Sequence, residues 1–146
     1  MIALLVVVVV ALTALVAGGC TQQAPPDTTM ADLATQIGAL KLDDTDFTAV
    51  LPAYTTEAYR TNTQPEQADY QLFLVAKAAD IGLIKKDAAK VAVTEHTKDG
   101  THTVTFDVAK AGGLFQVADI STLTVTLVKS EGGPRPWLIE AIALAR

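Results

Sequence analysis

Apolar residues along this chain fall into three successive patterns: a solid block, a helical period, then strict alternation. From Ile2 to Val16 they run almost unbroken. Further on, Met30, Leu33, Ile37 and Leu40 recur on one helical face, with Asp27, Thr28 or Thr29 available as the cap. Asp44 or Asp46 can cap a second segment carrying Phe47, Val50, Leu51 and Tyr54. Pro52 breaks or kinks that segment, because proline lacks an N–H and clashes with the preceding turn. A fresh short helix is then expected near Thr55, covering Glu57 to Arg60. Thr63-Gln64-Pro65-Glu66 is a start signal: a threonine cap, proline in the first turn, and glutamate three residues after the cap. The helix it opens should run to about Ile81 and bury Ala68, Leu72, Val75, Ala76 and Ala79, with Gly82 as its stop.

The period then changes to two. Val91 and Val93 alternate with polar residues, as do Val104, Phe106 and Val108, and Lys98-Asp99-Gly100-Thr101 lies between the runs. Asp-Gly between alternating runs signals a two-residue hairpin turn, since both central positions need positive φ. That turn fixes the register: Lys98 faces Thr101, Thr97 faces His102, Glu95 faces Val104, Val93 faces Phe106, and Val91 faces Val108. The valines and Phe106 form the core face, and Thr94, His96, Thr103, Thr105 and Asp107 the outer one. A third strand should point Leu123, Val125 and Leu127 inward and Thr122, Thr124 and Thr126 outward. A loop through Gly132-Gly133-Pro134 leads to a last strand from Trp137 to about Ala143. Helices followed by consecutive antiparallel strands describe a two-layer α+β domain, its N-terminal helices packed on a curved antiparallel sheet of four or more strands.

The apolar block ends at Leu15-Val16-Ala17-Gly18-Gly19-Cys20. Its length suits the core of a secretory signal, and the small residues before the cysteine suit a peptidase that needs slim side chains at its cut. The stretch resembles the lipobox of bacterial envelope lipoproteins. That resemblance implies that Cys20 takes a diacylglyceryl group, with palmitate-type chains, and becomes the first mature residue once the leader is cut. It divides the chain into a signal peptide at 1–19, a lipidated cysteine with a flexible tether at 20–29, and one domain at 30–146. Its expected location is extracytoplasmic, lipid-anchored to the bacterial cell membrane. Signal peptides normally begin with a basic residue, and none precedes Lys41. Either the start lies upstream of Met1 or the N-terminal amine supplies the charge. The alternative is a retained membrane helix, eighteen residues from Ile2 to Gly19. Gln22 to Thr29, rich in Pro, Gln and Thr, would hold the domain about 25 Å from the lipid at roughly 3.1 Å per residue.

Residues 1–19 carry no charged side chain, so the rest keeps the net charge of −5. That acidity argues against nucleic acid as a partner. Cys20 is the only cysteine. An exported domain without a disulfide depends on an ordinary apolar core, and 117 residues hold one such core.

Candidate chemistry is sparse. His96 and His102, the two histidines, fall on opposite faces of the hairpin and cannot close on one ion, so they read as surface residues. Asp43, Asp44 and Asp46 read as helix capping, since the glycine and distant glutamate of a calcium loop are missing. Ser121 and Ser130 lack a glycine-flanked elbow. No catalytic residue, metal or cofactor is therefore assigned. Glu95 is the one acid at an inward register position, at the core's rim or in a cavity. Tyr54, Tyr59 and Tyr70 on the helical layer could line a cavity mouth. Leu114, Phe115 and Val117 follow Gly112-Gly113 in a long connector, which reads equally as a hinged lid or contact surface and as an edge strand.

The element order, with Trp137-Leu138-Ile139-Glu140 opening the last strand after a Gly/Pro turn, resembles the nuclear-transport-factor-2-like (cystatin-type) superfamily. The resemblance implies helices against a curved sheet with a pocket between them, used for catalysis in some members and for binding in others. The expectation is a non-enzymatic, membrane-anchored module that binds an apolar small molecule or an envelope protein. The rivals are an isomerase or dehydratase using a cavity acid and a tyrosine, and a structural envelope component with an apolar surface around Leu114 to Val117.

Overall fold

Asp99 and Gly100 stand at φ 51° and 78°, the pair of positive values that a tight hairpin turn demands. They join β1 (Ala92–Lys98) to β2 (Thr101–Asp107). The pairing is the one the turn dictates, with Lys98 opposite Thr101, Glu95 opposite Val104 and Val93 opposite Phe106. The computed structural model describes residues 30–35, 51–131 and 135–146. In it β3 (Thr122–Lys129) and β4 (Trp137–Ala145) complete a four-stranded antiparallel sheet in the order β1-β2-β3-β4. Along β2 and β3 every second residue is buried. Val104, Phe106, Leu123, Val125 and Leu127 fill the inner face, and threonines line the outer one, where Thr105 and Thr124 hydroxyls stand 3.5 Å apart.

The last strand changes parity halfway. Leu127 pairs with Ile139, whereas Thr126 pairs with Ala141, so Glu140 is an extra residue bulged out of the ladder. Without the bulge, Trp137 and Ile139 would be followed inward by Ala141 and Ala143. With it, Ile142 and Leu144 stand opposite Val125 and Leu123 on the inner face. The outer edge of β4 is covered at one point. Tyr54 O accepts from Ile139 N at 2.8 Å and Thr56 N donates to Ile139 O at 2.9 Å, which makes a parallel bridge at Thr55.

The helical layer precedes the sheet. Pro52 sits in a 3-10 turn, Leu51–Ala53, instead of a continuing α-helix. Thr56 caps α1 (Glu57–Asn62) by accepting from Tyr59 N at 3.2 Å. Gln64, not Thr63, is the N-cap of α2 (Pro65–Ala79), and its side chain makes no capping bond. Proline still takes the first-turn position. All five expected core residues of α2 are buried, and so are Leu74 and Ala78, a second stripe that marks a helix covered on more than one side. Met30, Leu33 and Ala34, in the helical residues 30–35, belong to the same core cluster. The expected positions Ile37, Leu40, Phe47 and Val50, the aspartates at 43, 44 and 46, and Gly132-Gly133-Pro134 lie outside the described residues.

Gly82 is not the helix stop. The chain passes from α2 into a single π-helical turn, Asp80–Ile84, closed by Lys85 N donating to Asp80 O at 2.8 Å. Gly82 sits inside that turn because there is no room for anything larger. A Cβ would lie 2.6 Å from Val93 Cγ2 and 3.0 Å from Val91 Cγ1. The residue that reverses the chain is Lys86, at φ 53°.

The connector after β2 is neither lid nor edge strand. Gly112 and Gly113, both at positive φ, lead into α3 (Gly113–Val117), a short helix. Its Phe115 is 3 % exposed and belongs to the core cluster, closing that end of the sheet. Phe115→Ala should cost about 3–5 kcal/mol, the usual range for emptying a buried aromatic site. Gly82→Ala should cost about 1–3 kcal/mol, because Val93 has no flexible end with which to yield. Equilibrium denaturant unfolding measures both, and Leu114→Ala, on the exposed side of α3, serves as the near-neutral comparison.

Candidate functional site

The residues singled out from sequence do not converge on one site. Glu95 has the expected inward parity but is exposed. Its strand is the sheet's edge, and the π turn covers the start of β1 around Val91 and Val93 rather than the end where Glu95 stands. The cavity acid that an isomerase would need is therefore in solvent. Tyr54 is buried, with the Arg135 guanidinium 4.5 Å from its ring centroid, and Arg135 also pairs with Asp32 at 3.7 Å. Tyr59 is buried and donates its hydroxyl to Gln71 Oε1 at 2.8 Å. Tyr70 is 42 % exposed. The three rings serve three separate places, so they do not line a common mouth. Leu114 and Val117 are exposed while Phe115 between them is buried.

His102 overturns the surface reading given to both histidines. His96 is exposed, but His102 is buried at 2 % exposure. Register parity puts residue 102 on the same face as Val104 and Phe106. Its Nδ1 lies 2.6 Å from Thr97 Oγ1, and its ring is tilted against Trp137 at 6.0 Å between centroids. The parity that placed Val104 inward carried this information too. Among the described residues no group of three or more His, Cys, Asp or Glu could hold a metal ion. Among them also, no helix is long and apolar enough to cross a membrane, and the block at 2–19 lies outside them.

What the fold does assemble is a groove beside the π turn, with a volume of about 430 Å³. That lies within the range of small-molecule sites, roughly 300–1,000 Å³. Val91 just before the edge strand and Val93 within it, Leu83 and Gly82 of the π turn, and Ala31 and Ala88 give it an apolar lining, with Lys86 as the one charged residue among the described ones. Several local features conspire to leave the space open. Ala31 and Ala88 add little side-chain bulk, and among the described residues β1 has no strand beyond it. Lys86 holds a left-handed conformation that costs an L-residue about 1–2 kcal/mol. A π turn and a strained non-glycine residue are both features that gather at functional sites. Sequence reasoning saw Gly82 only as punctuation, and the isolated glycine flanked by Ile81 and Leu83 was the available signal.

Burial, and secondarily the negative charge of Asp69, push the Tyr59 hydroxyl well above its ordinary value of 10.0. The unfolded chain therefore loses this proton first as pH rises. The Tyr59 contribution is fully present below about pH 10 and is lost progressively above it. Denaturant midpoints measured between pH 8 and 11 should fall at the alkaline end, and Tyr59→Phe should flatten that fall. No protein-family model, curated protein or solved structure matches this chain.

Proposed function

We propose that the chain is an envelope lipoprotein whose domain, held outside the cytoplasmic membrane by acyl chains on Cys20, binds a small apolar or amphiphilic molecule without catalysing its conversion. The binding half of this reading is carried by one observation, the apolar groove of about 430 Å³ between the π turn and the edge strand. The location half rests on Leu15-Val16-Ala17-Gly18-Gly19-Cys20. Two acyl chains suffice for stable attachment where one does not, since each buried CH₂ contributes about 0.8 kcal/mol. The order of helices and strands, closing on Trp137, supports membership of the nuclear-transport-factor-2-like superfamily. Binding in that superfamily uses a space between the helices and the sheet, whereas the groove here lies at the edge of the sheet, beside the π turn. The isomerase reading loses support from the solvent exposure of Glu95.

Intact-mass spectrometry of the protein extracted from bacterial membranes should find a chain beginning at Cys20, heavier by a diacylglyceryl group. Cys20→Ala should leave the leader uncut and abolish that mass. A native chain that keeps residues 1–19 and a bare Cys20 thiol would refute the anchor.

A further inference from the structure

We propose that the groove takes a single-chain anionic amphiphile, a long-chain fatty acid, with its carboxylate at Lys86 and its hydrocarbon along Leu83, Val91 and Val93. This rests on reading the groove as the ligand site. The hydrocarbon part follows from the lining, which among the described residues and apart from Lys86 is glycine, alanine, valine and leucine. The anionic part follows from charge complementarity. Three lysines crowd this corner of an acidic protein. Lys85 pairs with Asp80 at 2.8 Å and Lys90 pairs with Asp87 at 3.8 Å. Lys86, the one of the three that lines the groove, has no carboxylate within ion-pair distance among the described residues.

The backbone strengthens the assignment. Glycine or asparagine would sit at φ 53° with less strain than lysine. The two neighbours of Lys86 are Lys85, which faces Asp80, and Asp87, whose N–H and C=O are both used in closing the turn. The left-handed position is thus occupied by a long cationic side chain that the turn itself does not require. Its stem can lie against apolar surface while its ammonium stays at the open rim, the geometry a carboxylate headgroup needs. A neutral apolar ligand would leave this cation unused, and a dianionic or zwitterionic headgroup would ask for more partners than the groove presents.

The test uses the full chain in phosphatidylcholine nanodiscs. It is photolabelled with hexadecanoic acid bearing a mid-chain diazirine, and in parallel with the matching hexadecanol. The acid should label the peptide spanning Leu83 to Val93. The alcohol should label it about tenfold less, the loss expected for one charge-assisted contact. Lys86→Gly, which suits the left-handed backbone, should bring the acid down to the alcohol's level while the melting temperature holds or rises. Ala88→Trp, at an exposed position of the groove, should abolish labelling by both. Equal labelling of the groove by acid and alcohol, or indifference to Lys86→Gly, overturns the anionic assignment and leaves the groove as an apolar site. Labelling confined to Leu114–Val117, or absent from Leu83–Val93 with both probes, overturns the groove itself.

Discussion

The two-residue turn at Asp99 and Gly100 is the constraint from which the rest of the sheet follows. Both residues hold positive φ, so β1 and β2 can meet in one register only. Side chains in a strand alternate, and a slip of one residue would turn every threonine of β2 inward and every apolar residue outward. Phe106, Val104 and His102 are therefore committed to the core together. β3 inherits the register from β2, and β4 from β3, until the bulge at Glu140 resets it. That reset lets a strand reading Trp-Leu-Ile-Glu-Ala-Ile-Ala-Leu-Ala aim four large apolar residues at one face.

Among the described residues the same sheet leaves β1 as an edge strand, and the groove lies there. The α2 helix must end near β1, and it ends by loosening into a π turn that meets Val91 and Val93 through a glycine. Close approach at Gly82 pins the turn to the strand. Small residues on either side keep the neighbouring space open, and the reversal at Lys86 brings a cation to its edge. Packing, strain and charge thus meet within a dozen residues of chain. By contrast, the exposed apolar side chains of α3 are the back of a plug whose front is Phe115.

Much of this architecture was readable from the sequence, and the misreadings have physical causes. Period and turn chemistry reveal α1, α2, the hairpin and its register, because each is a local property of consecutive residues. Parity separates His102 from His96 and also sets it beside Val104 and Phe106; the surface reading uses the first fact and overlooks the second. Gly82 reads locally as a helix stop, because the contact that requires a glycine is with Val93, eleven residues on and invisible to local rules. Phe115 reads as part of a lid, a contact surface or an edge strand, because nothing in a short segment says which side chain a distant core will accept. The groove depends on small side chains at Ala31 and Ala88, which are far apart in the chain and meet only after the elements are placed.

The proposal gives the apolar slot, with Lys86 unpaired among the described residues at its rim, to the acyl chain of an anionic amphiphile. Methyl NMR of the full chain in nanodiscs, titrated with hexadecanoate, tests that claim most directly. Saturable shifts of the Val91 and Val93 methyls, with those of Leu114 and Val117 unmoved, are the expected result. Shifts centred on Leu114 and Val117, or no saturable shift at Val91 and Val93, would contradict it.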